Sequence, residues 1–139
     1  MLVVNKRSTA TRIEYLREQI QLKRTAAARI RDRMSEPAHT KYGEDSRSAF
    51  DYRKRELTLI DGIDKANALD AEADRLQAEL DELCSEVLRE LEKKPDDCHA
   101  AKASVKFRLC WACTWSEIAE LTGYNERSCR RLFDKWLND

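Results

Sequence analysis

The residues whose types and spacing are best suited to chemistry lie near the end of this chain. On a helix, three arginines would share one face with Asp134: Arg127, Arg130 and Arg131. The opposite face would be apolar, formed by Cys129, Leu132, Phe133 and Trp136. Guanidinium groups donate paired hydrogen bonds to guanine edges, and an asparagine such as Asn125 can do the same to adenine. This cluster is therefore suited to recognising the acceptor groups of nucleic-acid bases.

The residues upstream predict the elements that would position these arginines. Thr114-Trp-Ser-Glu117 has the spacing of a capping box, which opens a short helix over 115–121. Gly123 permits a tight turn, and the small Ala119 lets two helices cross closely. The predicted shared core consists of Ile118, Tyr124, Cys129 and Leu132. Together these features predict a helix-turn-helix.

A helix-turn-helix places its second helix in the major groove of double-stranded DNA. The residues predicted to contact DNA are Thr114, Asn125, Glu126, Arg127, Ser128, Arg130, Arg131 and Lys135. Of these, Thr114 and Lys135 are expected to contact phosphates at the edges of the groove. Similar short helix pairs occur in proteins that do not bind DNA, so a structural helical bundle is the alternative.

The stretch 114–137 resembles the C-terminal helix-turn-helix of phage late-gene regulators of the RinA/ArpU type, which resembles the promoter-reading domain of bacterial sigma factors. The positions that match are Thr114, Trp115, Glu117, Ile118, Ala119, Gly123, Tyr124, Arg127, Arg131 and Leu132. The chain departs from the pattern at Thr122, Asn125 and Cys129. The resemblance implies a small transcriptional activator of a phage or prophage, which acts in the bacterial cytosol on DNA and contacts RNA polymerase.

Upstream of this region, apolar residues recur every three or four positions and predict a first helix over roughly 9–34. Thr11 and Glu14 form a possible capping box at its start, with Ser8 as the alternative cap. Lys23 interrupts the apolar stripe. Residues 35–47 contain proline and glycine without periodicity and are predicted to form a loop.

A second helical region is predicted from about 48 to 94, where Pro95 ends it. Its apolar residues follow heptad spacing at Leu69, Ala73, Leu76, Leu80, Leu83 and Val87. Gly62 lies inside this region and predicts a break or bend, because glycine costs roughly 1 kcal/mol relative to alanine in a helix.

Charge divides unevenly along a chain whose formal net charge is zero. Residues 1–34 carry nine basic and three acidic side chains, 35–97 carry ten and eighteen, and 98–139 carry seven and five. A basic helix followed by an acidic one is expected to pair with it, or with copies of the same chain.

The predicted fold is all-α: a long antiparallel, coiled-coil-like helical hairpin over 8–94 and a helix-turn-helix domain over 96–139. Both a homo-oligomer formed through the hairpin and a monomeric bundle fit this pattern.

Other classes of protein fit the composition poorly. With 3 glycines and 2 prolines among 139 residues, β-sandwiches, barrels and α/β enzymes are disfavoured. No catalytic constellation is found, so the chain is predicted not to be an enzyme and to need no cofactor. Cys110 and Cys113 form a single CxxC, with Cys98 upstream and Cys129 downstream as further possible zinc ligands. A single CxxC is weak evidence for zinc, and no metal is predicted. No apolar run is long enough for a membrane span, and an odd number of cysteines favours the cytosol.

Two other classes of protein also combine helical segments with such a C-terminal region. A small terminase-like DNA-packaging subunit combines a helix-turn-helix with helical oligomerisation segments, although it usually carries the DNA-binding part first. A helical adaptor would use the arginine face to bind protein instead of DNA. A ring-shaped oligomer would favour the packaging subunit, and absence of salt-sensitive DNA binding would favour the adaptor.

Overall fold

A computed structural model describes residues 5–35, 49–95 and 99–139, and this part of the chain is helical without strands. Its elements are α1 (Lys6–Ser35), α2 (Ala49–Glu92), α3 (His99–Val105), a π-helical turn (Lys106–Cys110), α4 (Trp115–Thr122) and α5 (Glu126–Asn138). The predicted all-α class is confirmed. Apart from Ser35, the predicted loop at 35–47 lies outside the described residues.

The chain divides into two compact units. The hairpin unit is Glu18–Leu76, and the C-terminal unit combines Met1–Arg17 with Gln77–Asp139. The start of α1 belongs to the C-terminal unit because Arg7 donates a hydrogen bond to Asn138 there. Pro95 is therefore not where the compact units divide, and the limits 8–94 and 96–139 stay predictions.

The hairpin unit is held by a seam of small side chains between α1 and α2. Ala27, Ala66 and Ala73 are fully buried, and Ile20 is nearly so. Because alanine is short, the two helix backbones can approach closely along this seam. Of the predicted heptad residues in this unit, Ala73 is buried and Leu69 and Leu76 are half-buried, as expected for the packed side of a helix in an antiparallel hairpin.

The charges of the hairpin unit pair between its two helices. Lys23 Nζ lies 3.2 Å from a carboxylate oxygen of Glu72, which accounts for a lysine in an otherwise apolar stripe. Arg31 similarly lies 2.5 Å from a carboxylate oxygen of Asp70. The basic helix therefore pairs with the acidic helix of the same chain. These groups keep partial contact with solvent, so each pair contributes at most about 1 kcal/mol and mainly favours one register.

Two sequence-based predictions are wrong: the cap of the first helix and a break of the second helix at Gly62. The cap of α1 is Asn5, whose side-chain oxygen accepts a hydrogen bond from the Ser8 backbone at 3.2 Å, so Ser8 and Thr11 lie inside the helix. The second helix also runs unbroken through Gly62. A Cβ atom at this position would lie 2.7 Å from the Met34 sulfur, so glycine makes room for Met34 of α1.

Replacement of Gly62 by alanine tests this close approach. The gain in helix propensity, roughly 1 kcal/mol, should be offset by displacement of the Met34 side chain, so Gly62→Ala alone should change stability little. In a Met34→Ala background the same substitution should stabilise by roughly 1 kcal/mol, measured by urea unfolding. An equal effect of Gly62→Ala in both backgrounds would show that the contact is energetically unimportant.

Candidate nucleic-acid interface

The first helix of the predicted helix-turn-helix, α4, opens on the predicted capping box. Thr114 Oγ1 accepts a hydrogen bond from the Glu117 backbone at 3.2 Å, and the Glu117 carboxylate accepts one from the Thr114 backbone at 3.0 Å. The backbone and side-chain hydrogen bonds from Thr114 lower the pKa of Glu117 below its ordinary value. Two otherwise unpaired donors at the helix start are thereby satisfied, as predicted.

The turn between α4 and α5 is also formed as predicted. Gly123 takes a left-handed conformation with φ of 78°, and its backbone N–H donates to the Ala119 carbonyl at 2.9 Å. Asn125 then caps α5, because its side-chain oxygen accepts from the Ser128 backbone at 2.8 Å. Asn125 is also one of the candidate DNA contacts, and its side-chain nitrogen is not used by the cap.

The apolar face of α5 is buried, which confirms its predicted amphipathic pattern. Cys129, Phe133 and Trp136 are buried, and the Trp115 ring of α4 meets the Phe133 ring edge-on at 5.5 Å between centroids. The prediction that Tyr124 belongs to this core is wrong: 52% of its surface is exposed. Its ring lines an open concavity of about 580 Å³ instead.

Two of the positions at which the chain departs from the resembled pattern, Thr122 and Cys129, contact each other. The Thr122 hydroxyl donates to the Ile118 carbonyl at 2.8 Å, and the same oxygen lies 3.5 Å from the Cys129 sulfur. Because the hydroxyl proton is already used, the Cys129 thiol is the donor in this contact. The polar atom of Thr122 is thus satisfied by its own helix and by the facing cysteine.

The residues predicted to contact DNA occupy the surface of α5 and of the two helix starts. Those that are exposed are Thr114, Asn125, Glu126, Arg127, Arg130, Arg131 and Lys135, whereas Ser128 is half-buried. The three arginines lie on the face of α5 opposite its buried residues. The structure therefore leaves their guanidinium groups accessible, and their contact with DNA stays a prediction.

Sequence reasoning missed Arg108, which belongs to the same surface. Its guanidinium lies 4.8 Å from the centre of the Trp115 ring, and that of Arg130 lies 5.8 Å from the same ring. Arg108 also donates to the Cys113 carbonyl at 3.2 Å. The sequence signal for this contact is weak: Trp115 stands at the first position of a predicted helix, with arginines both before and after it in the sequence.

The connection before α4 is a π-helical turn followed by a short irregular segment. Val105, just before the turn, and Leu109, within it, are both buried. Ala112 follows the turn, is exposed, and takes a positive φ of 53°, unusual for a residue with a Cβ atom.

Metal and membrane sites were also sought in the structure. Across residues 5–35, 49–95 and 99–139, no three histidine, cysteine or acidic side chains come together as a metal site would require. Within the same ranges no helix has the length and apolar character that crossing a membrane requires. Cys98, a possible zinc ligand in the sequence, lies outside the described residues.

Comparison of the chain with protein-family models, with curated proteins and with solved structures found no match.

Gly123 and Ala112 both have a positive φ, and reciprocal substitutions at these two positions should change stability in opposite directions. Gly123→Ala should destabilise by about 1 kcal/mol, because a Cβ atom has open space there but opposes the left-handed conformation. Ala112→Gly should relieve the same strain and stabilise by up to about 1 kcal/mol. Thermal or urea unfolding of both variants measures the changes, and a shift of equal sign in the two would contradict this assignment.

The capping box predicts how Glu117 titrates. Its pKa is lowered in the folded protein, so its stabilising effect is present at neutral pH and is lost as pH falls through that pKa. Thr114→Ala should raise the Glu117 pKa toward its ordinary value, as followed by NMR of the side-chain carboxyl. Because the backbone donor remains in the variant, an identical pKa in wild type and variant would show that the Thr114 side chain does not stabilise the Glu117 carboxylate in solution.

Proposed function

We propose that this chain is a sequence-specific DNA-binding transcriptional regulator that places α5 in the major groove. The observation that carries the proposal is the exposure of Arg127, Arg130 and Arg131 on α5, directly after a capped helix start and a tight turn. In proteins of this architecture the first turns of the second helix meet the base edges. The arginine-bearing part of α5 is that segment.

The chemistry of the exposed face suits base recognition as well as attraction to phosphates. Arginine is the commonest partner of guanine, and its fork can donate two hydrogen bonds to one base. Glu126 adds an acceptor for cytosine at the helix start, which a purely electrostatic surface would not need. A face that carries both basic and acidic side chains favours sequence-specific binding over nonspecific binding to DNA.

The tryptophan between two arginines supports the same function. Trp115 contacts both Arg108 and Arg130 through its ring faces, and it is itself fixed by the edge contact with Phe133. A cation held over an aromatic ring has fewer conformations to lose when it binds. Arg130 is therefore positioned before DNA arrives, while Arg127 and Arg131 are exposed on the same helix.

The biological setting rests on the resemblance of residues 114–137 to phage late-gene regulators. We include in the proposal that the chain acts in a bacterial cytosol on phage or prophage promoters, with RNA polymerase as a further partner. Self-association through the hairpin belongs to the same proposal, because paired helix-turn-helix domains read paired half-sites.

Binding to random duplex DNA, measured by fluorescence anisotropy across a salt series, tests the proposal. Changing Arg127, Arg130 and Arg131 to alanine should weaken this binding and reduce the salt slope by about 1 for each arginine that contacts phosphate. On a duplex selected from the pool for tight binding, the change should cost about 1–3 kcal/mol for each arginine that reads a base. The matched control changes Arg53, Lys54 and Arg55 of α2 to alanine. These side chains are also exposed, and the change removes the same amount of positive charge. This control should retain most of the affinity.

The outcomes separate the alternatives. Equal losses in the two variants would indicate nonspecific attraction to positive charge and contradict a binding surface on α5. Absence of binding at low salt would favour the helical adaptor. Binding by a ring-shaped oligomer, detected by sedimentation, would favour the DNA-packaging subunit. Circular dichroism of each variant verifies that it is folded.

A further inference from the structure

Two cysteines that are distant in sequence meet in the C-terminal unit. Cys84 lies on α2, and Cys110 is the last residue of the π-helical turn. The Cys110 sulfur lies 3.7 Å from the Cys84 backbone oxygen, and the two thiols are also close enough to share a side-chain hydrogen bond. Both residues are partly accessible to solvent. Two sulfur atoms are thus brought together at a site that small solutes can reach.

The hydrogen bond between the two thiols, together with burial and nearby charges, makes the two sulfurs unequal. The hydrogen bond from Cys110 and the nearby Arg17 guanidinium lower the pKa of the Cys84 thiol to about 7, while burial and Asp81 oppose this change. The hydrogen bond to Cys84 and burial raise the pKa of Cys110, with Arg17 and Lys106 opposing. Cys84 is therefore the sulfur that carries negative charge near neutral pH, and Cys110 keeps its proton.

The other described thiols have different surroundings. Cys113 is 3.9 Å from the Trp111 carbonyl oxygen, and the fully buried Cys129 contacts Thr122. Neither combines a second thiol, a nearby guanidinium and access to solvent. The arrangement at Cys84 and Cys110 is thus specific to that place in the fold, and it matches what a thiol that reacts with oxidants requires.

We propose that Cys84 and Cys110 form a redox site at which a peroxide converts the two thiols into a reversible intramolecular disulfide. Cys84 is the residue that reacts with peroxide, Cys110 is the residue that resolves the product, and Arg17 is a positioning residue for the Cys84 thiolate. The proposal is independent of DNA binding.

The reaction balances with hydrogen peroxide as the oxidant. The Cys84 thiolate attacks one peroxide oxygen, the O–O bond breaks, and the departing hydroxide takes a proton and becomes water. Cys84 is then a sulfenic acid. The Cys110 sulfur attacks the Cys84 sulfur, the S–O bond breaks, and the oxygen leaves as a second water with the Cys110 proton. Two electrons pass from the sulfurs to peroxide, and a thiol such as glutathione reverses the reaction.

The disulfide would join α2 to the turn that leads into α4. Cys110 stands four positions before Thr114, which begins the helix-turn-helix, and Ala112 lies between them with its positive φ. A cross-link here would restrict the π-helical turn and the strained segment after it. Oxidation is therefore expected to raise the melting temperature of the full chain, and reduction to restore it.

Treatment of the reduced full-length chain with hydrogen peroxide tests the proposal. After alkylation of the remaining thiols, mass spectrometry should show the loss of two hydrogens and a cross-linked peptide pair containing Cys84 and Cys110. Cys84→Ser should abolish this product, and Cys113→Ser, the matched control in the same segment, should leave it unchanged. In Cys110→Ser the intermediate cannot be resolved, so dimedone should label Cys84.

The pH dependence separates a reactive pair from a merely adjacent one. The rate of Cys84 oxidation should rise through about pH 7 and level off above it, because the thiolate is the reacting form. Arg17→Gln should move this profile to higher pH, whereas Arg12→Gln, on the same helix but paired with Glu79, should not. Oxidation to another cysteine pair, disulfides between chains, or an unchanged rate in Cys84→Ser would overturn the proposal.

Discussion

The burial of Cys129, Phe133 and Trp136 fixes the rotation of α5 about its own axis. A helix has only one rotation that buries a stripe of this spacing, so the residues between the buried ones must face outward. The three arginines are therefore exposed as a consequence of packing on the other side. Burial of these large side chains contributes several kcal/mol in sum, far more than the exposed charges can, and so it decides the orientation.

Part of the positive charge of α1 is paired with acidic side chains within the chain. Arg12, Lys23 and Arg31 of α1 each lie near an acidic side chain of α2, in the C-terminal unit or in the hairpin unit. A basic helix paired in this way has less charge to offer to a phosphate backbone. The arginines of α5 have no such acidic helix across from them among the described contacts, which makes α5 the better candidate for nucleic-acid binding.

The segment between α3 and α4 concentrates several unusual features. Its π-helical turn, the positive φ of Ala112 and the contact between Cys84 and Cys110 lie within one short stretch or against it. π-helical turns are frequent at functional sites, where they alter the direction of a side chain. Here the turn brings Cys110 to α2 and places Arg108 over Trp115.

By itself the sequence determined the local elements of this protein, because they depend on neighbours in the chain. The capping box at Thr114, the turn at Gly123 and the amphipathic face of α5 follow from backbone hydrogen bonding, backbone conformation and helical periodicity. Features that join distant positions were decided only by tertiary structure. Gly62 lies where the Met34 side chain approaches α2, and Cys84 meets Cys110 because α2 passes the π-helical turn. Such contacts depend on which faces of two helices meet, and no local pattern encodes that.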